Sequence, residues 1–166
     1  MSDLRPPLVI GLGNPYRTDD GIGSVVLHEL RRMGVANVDL VEVAGQELSL
    51  PDLWEQRGLV IAVDAAVCGE NSVPGTIHRF DALGEKLPAD IFRCSTHSMG
   101  LPEAVELGRV LGKLPGRLVV YGIECREFGF GEMLSPGLDQ AAVRVARMIA
   151  EDVRRSEPVH RHEWTG

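Results

Sequence analysis

Cysteine is scarce in this chain, and what there is does not pair. Cys68, Cys94 and Cys125 are widely spaced, odd in number, and form no CxxC. Neither a zinc knuckle nor a disulfide scaffold is supported, and a reducing cytoplasm is the expected compartment. Basic residues are in deficit as well: 17 Lys and Arg against 24 Asp and Glu leave a net charge of −7. A general nucleic-acid binder needs a basic face to displace counterions, so no nucleic-acid partner is expected. Long apolar runs are missing too, since none approaches the roughly 20 residues that span a bilayer. The opening MSDLRPPLVIGLG carries an acid and two prolines, and its short apolar run leads straight into glycines. It does not read as a signal peptide, and no membrane contact is expected. Repeats and low-complexity segments are absent.

What is present reads as one domain. The 166 residues leave room for a real core. Pro7–Leu12 reads as a buried strand, and 20–32 as a helix with Gly34 at its C-cap. Residues 38–43 form a second strand. A helix is expected over 46–57, with Pro51 favouring a break or a fresh start. GLVIAVDA, residues 58–65, is the near-continuous apolar run of a strand buried on both faces. Residues 66–75 form a loop, 76–80 a short edge strand, and 81–95 irregular chain. A helix over 98–111, a buried strand over 117–123 and a glycine-bearing loop over 124–134 follow. Ser135 and Pro136 then open a long helix as N-cap and first position. This order implies a three-layer α/β sandwich with a mostly parallel sheet of about five strands. Residues 1–155 make the domain, 156–166 a disordered tail, and the expected state is a monomer.

The stretch VIGLGNPYRTDDGIG (9–23) poses the functional question. A glycine-rich turn after a first strand suggests a phosphate cradle, yet two adjacent aspartates would repel a phosphate. GLGNPYRTDDGIG lacks the GxGxxG spacing, because Pro15 takes the third glycine's place, and it does not match GxxxxGK[ST] either. Three other features point to a cation. Asp19 and Asp20 follow the first strand, Asp64 ends the third, and His97, in CSTHSMG, precedes the helix expected over 98–111. In open α/β sheets ligands bind at the carboxyl ends of strands, where the strand order reverses. If the first and third strands are neighbours, Asp20 and Asp64 face one crevice that His97 closes. Two carboxylates with one imidazole suit a divalent transition metal. Each residue also has a plain alternative: a helix N-terminal acid for Asp20, a cap or turn bond for Asp64, and a capping or core histidine for His97. A carboxylate ending VIAVD is the hardest to explain without function, because burying it unpaired costs several kcal/mol.

Taken together, GLGNPYRTDDGIG, VIAVDA, STHSMGL and GFGEMLSPGLDQAAV resemble the NiFe-hydrogenase maturation endopeptidases, in the family's order over roughly residues 8–152. The most specific part is the opening motif, GxGNxxxxD followed by Asp or Glu and, three residues further on, a glycine. The resemblance implies a protease that cuts a C-terminal extension from the hydrogenase large-subunit precursor after nickel insertion. It also implies that Asp20, Asp64 and His97 contact nickel which arrives with that precursor, and that Asp19 or Asp20 acts as general base. The first acid of the triad is Glu or Asp in the family and is Asp here, one methylene shorter. The match around VEVAGQEL is looser, with Gly45 corresponding to a turn glycine.

Two rivals differ in class. Peptidyl-tRNA hydrolase shares GLGNP, but this chain then reads TDDG where that family continues to its catalytic histidine. A nickel-delivery or chaperone module would use the same triad without turnover.

Overall fold

The computed structural model describes residues 5–67, 69–92, 100–131 and 133–157. Five strands form one sheet: β1 (Leu8–Leu12), β2 (Asp39–Val43), β3 (Leu59–Val67), β4 (Ile77–Asp81) and β5 (Arg117–Cys125). Their order is β2-β1-β3-β5-β4. Three of the four pairs in that order run parallel, and in the last β4 lies antiparallel on β5 as an edge. The central strands β1, β3 and β5 are buried almost throughout, as strands covered on both faces must be. Their near-continuous runs of Val, Ile, Leu and Ala follow from that position.

Side-chain alternation divides the core in two. Val9, Ile61, Val63, Val119 and Ile123 pack against α1 (Ile22–Met33) and α4 (Leu138–Ser156). Leu8, Ile10, Val60, Ala62, Leu118 and Val120 pack on the opposite side with α2 (Leu50–Trp54) and α3 (Leu101–Leu111). The expected three-layer α/β sandwich is the observed one. Among the described residues no helix is long and apolar enough to cross a membrane.

Several boundaries differ from the sequence reading, each for a local reason. The helix expected over 46–57 is a 3-10 turn at Glu47–Ser49 followed by the five residues of α2. Pro51 has no N–H and is tolerated only in a first turn, so the helix starts there rather than running through. β3 does not end at Asp64: pairing with β5 carries it on through Ala65↔Ile123 to Val67↔Cys125. α4 starts at Leu138 behind Gly137, not at Ser135. Gly34 caps α1 in the left-handed conformation, as expected.

A partly buried polar cluster ties the edge strand to α4. The Tyr121 hydroxyl donates to Asp152 Oδ2 and accepts from Arg79 Nε at 3.1 Å, and Arg79 Nη2 meets Asp152 Oδ1 at 3.0 Å. Burial first, and then the bond to Asp152, push the Tyr121 hydroxyl up to about 12. Tyr121→Phe removes one hydrogen-bonding oxygen and leaves the Arg79–Asp152 ion pair in place. The expected loss is about 1–2 kcal/mol in urea denaturation, with the site reactions below untouched.

Candidate active site

The crevice is created by register. β1 pairs with β3 only as far as Gly11↔Val63, whereas β3 and β5 stay paired for four more positions. Asp64 is the first β3 residue past the last β1 partner. Its side chain falls on the face that carries Val60 and Ala62. β1 meanwhile turns away toward β2, where the Gly13 N–H donates to Val43 O at 3.1 Å. This is the switch point of the sheet, with β2 on one side of β1 and β3 on the other.

The glycines of the first turn bring backbone against backbone. A Cβ on Gly11 would lie 2.8 Å from the Gly23 carbonyl oxygen, and one on Gly23 would lie 2.5 Å from that of Leu12. The start of α1 therefore rests directly on the end of β1. Gly13 has φ +115, and a Cβ there would sit 2.1 Å from Asp20 O. The turn closes on itself, and Asp20 Oδ2 accepts the Asn14 N–H at 2.8 Å.

Asp20 and Asp64 are both buried, and the charge of Asp20 acts on Asp64. Burial is the main cause that raises the Asp20 carboxyl, opposed by the Asn14 N–H and by the charge of Arg17. Asp64 is pushed up to about 8, first by burial and then by the negative charge of Asp20; the Ala65 N–H opposes this and Glu47 adds to it. Two acids held this way favour any divalent cation brought to them, because the cation lowers the cost of both charges. Glu47 was not singled out from the sequence. Its signal was present in the same GQEL stretch as Gly45, but nothing local marks it as facing Asp64.

Asp19 goes elsewhere. It is fully buried, and its carboxylate accepts four hydrogen bonds from the loop after β5. Oδ1 takes the Ser135 N–H at 2.7 Å. Oδ2 takes the N–H groups of Arg126 at 3.3 Å and Glu127 at 3.0 Å, and the Ser135 hydroxyl at 2.9 Å. Three donors converge on Oδ2 and one on Oδ1, so the carboxylate is held in place by the loop. The Ser135 expected to cap α4 is thus committed to Asp19. His97, the expected third ligand, lies outside the described residues, as do Cys68 and Cys94. Among the described residues no group of three His, Cys, Asp or Glu side chains is placed to hold a metal.

The comparisons decide the family. The family model described as hydrogenase maturation protease matches residues 25–152. The chain belongs to that family. It is 32% identical over 168 residues to the hydrogenase 2 maturation protease of Escherichia coli K12, covering 92% of this chain and 98% of that one. It is 28% identical over 149 residues to the hydrogenase expression/formation protein HupD of Thiocapsa roseopersicina, covering 87% of this chain and 66% of that one. The solved structure of the hydrogenase maturating endopeptidase HybD from E. coli superposes with a TM-score of 0.71 over 91% of this chain and 93% of that chain, at 23% identity, and shows the shared fold. As a hydrogenase maturation protease the chain is a hydrolase, an endopeptidase by family. Asp64 and His97 fall inside the matched stretch, while the turn with Asp19 and Asp20 precedes it.

Proposed function

We propose that this protease removes the C-terminal extension of a NiFe-hydrogenase large-subunit precursor after nickel insertion. Asp20, Asp64 and His97 contact the nickel that the precursor already holds through its own cysteines. Nickel here is part of the substrate, and a precursor without it offers the three side chains no common partner. The observation that carries this reading is the buried pair Asp20 and Asp64 at the switch point. Asp64 is held well above the usual carboxylate range, and the neighbouring charges that raise it, Asp20 and Glu47, are both acids. A cation arriving with the substrate supplies what that pair lacks. With Asp19 held by the loop, Asp20 is the carboxylate left to accept a proton from the attacking water. Burial raises its pKa, in the direction a general base near neutral pH requires.

The test is mass spectrometry of the C-terminus of nickel-loaded and nickel-free precursor after incubation with the wild type, Asp64→Ala and His97→Ala. The wild type is expected to shorten only the loaded precursor, and each variant to slow cutting by roughly a hundredfold or more. Equal cutting of loaded and nickel-free precursor sinks the nickel reading. A wild type that binds precursor and never shortens it turns the chain into a delivery module.

A further inference from the structure

The loop after β5 is stitched to the turn that carries Asp20 by main chain as well as by Asp19. The Thr18 N–H donates to Gly131 O at 2.8 Å, and the Gly131 N–H donates to Tyr16 O at 2.9 Å. The Asp19 N–H donates to Glu127 O at 3.0 Å. Arg17 Nε donates to Phe128 O at 3.1 Å, and the Thr18 hydroxyl donates to Glu127 O. Arg17 and Gly131 form a parallel bridge. Thr18 has φ +48, a left-handed conformation that a β-branched residue adopts only when its surroundings impose it. The loop imposes it from both ends of the residue.

This fixed backbone turns its apolar side chains outward. Phe130 is 97% exposed, Met133 84% and Tyr16 64%. Single exposed apolar residues are ordinary on a protein surface. Here two rings and a thioether project from one hydrogen-bonded platform that is continuous with the Asp20 turn. Aromatic anchors on a preorganised backbone bind with little ordering cost, and methionine adapts to an irregular partner.

We propose that the stitched loops, residues 14–20 with 126–131 and 133–135, are the surface on which the folded body of the protein substrate docks. Tyr16, Phe130 and Met133 are its contacts, and Asp19 is the positioning residue that holds it. This rests on the proposed function: a precursor must be held as a protein while its tail lies in the crevice. Continuity with the Asp20 turn selects that occupant, since a second copy of this chain seated there would cover the crevice.

Full-length protein is tested on a nickel-loaded large-subunit precursor, with processing rates followed by mass spectrometry. The variants are Phe130→Ser with Met133→Ser, Asp19→Asn, and Val110→Ser as a control on the exposed side of α3, outside the stitched loops. The double variant is expected to raise KM about tenfold or more with kcat largely kept, and the control to leave KM unchanged. Asp19→Asn is expected to raise KM likewise and to speed amide hydrogen exchange at residues 127–131. An unchanged KM in the double variant overturns the docking surface while the proposed function stands. A fall in kcat alone for Asp19→Asn makes Asp19 a reacting base and overturns its holding role. A wild-type dimer that the double variant dissolves assigns the patch to self-association and overturns the proposal. A wild type that cuts no precursor overturns the function and the docking surface together.

Discussion

Asp64→Asn is expected to leave the protease unable to cut its precursor and yet harder to unfold. The native fold keeps the Asp64 carboxyl protonated up to about pH 8, against 3.8 for an ordinary aspartate. Between those values the folded chain holds a proton that the unfolded chain has released. Stability therefore falls as pH rises through that window, at a limiting slope of about 1.4 kcal/mol per pH unit for one group. Asparagine keeps the shape and cannot ionise, so it escapes that loss. Near pH 4 the variant and the wild type are expected to unfold at similar urea concentrations. By pH 8 the variant is ahead by several kcal/mol, and nickel-loaded precursor remains uncut throughout. Equal midpoints at pH 8 contradict the buried charge. The same carboxylate that weakens the free protein is the one proposed to meet the nickel, so stability given up at this position serves recognition.

Gly13→Ala has the second large effect. Two costs combine at Gly13. Its φ of +115 is one that side chains rarely adopt, and the added methyl would lie 2.1 Å from the Asp20 carbonyl oxygen, a backbone atom without room to retreat. Gly34→Ala is the comparison, because Gly34 also has positive φ, at +67, but has nothing within 4 Å of an added Cβ. Conformation alone costs about 1 kcal/mol at such a position. Gly34→Ala is expected to lower stability by about that much and to leave processing intact. Gly13→Ala is expected to cost at least about 3 kcal/mol and to abolish processing by displacing Asp20. Thermal unfolding and a processing assay on the two variants check both statements. A Gly13→Ala protein that cuts normally contradicts the turn geometry.

Much of the architecture was legible because it is periodic. GLVIAVDA and RLVVYGI announce strands buried on both faces, and the alternation in 76–80 marks an edge strand, which β4 is. The crevice was legible as well, because it depends only on β1 and β3 being neighbours with their helices on opposite faces. The short α2 was harder, since Pro51 is compatible with either a break or a start and only packing chooses. Ser135 was misread for a better reason. Ser before Pro is a sound local cap signal, but here the hydroxyl and N–H serve Asp19, which is 116 residues away. No window of sequence shows such a bond. For the same reason Asp19 and Asp20 look equivalent in the sequence and have separate fates in the fold, one surrounded by N–H and O–H donors and the other beside Asp64.

That long-range bond also governs when the site exists. Asp19 precedes its partners Arg126, Glu127 and Ser135 by more than a hundred residues, and they come just before α4. Contacts so far apart in the chain form late, because the intervening chain must be ordered before they can close. A growing or half-folded chain therefore has an acidic turn without its wall, and the strained Thr18 without the loop that holds it. The acidic turn therefore has its wall only once the chain through Ser135 is in place.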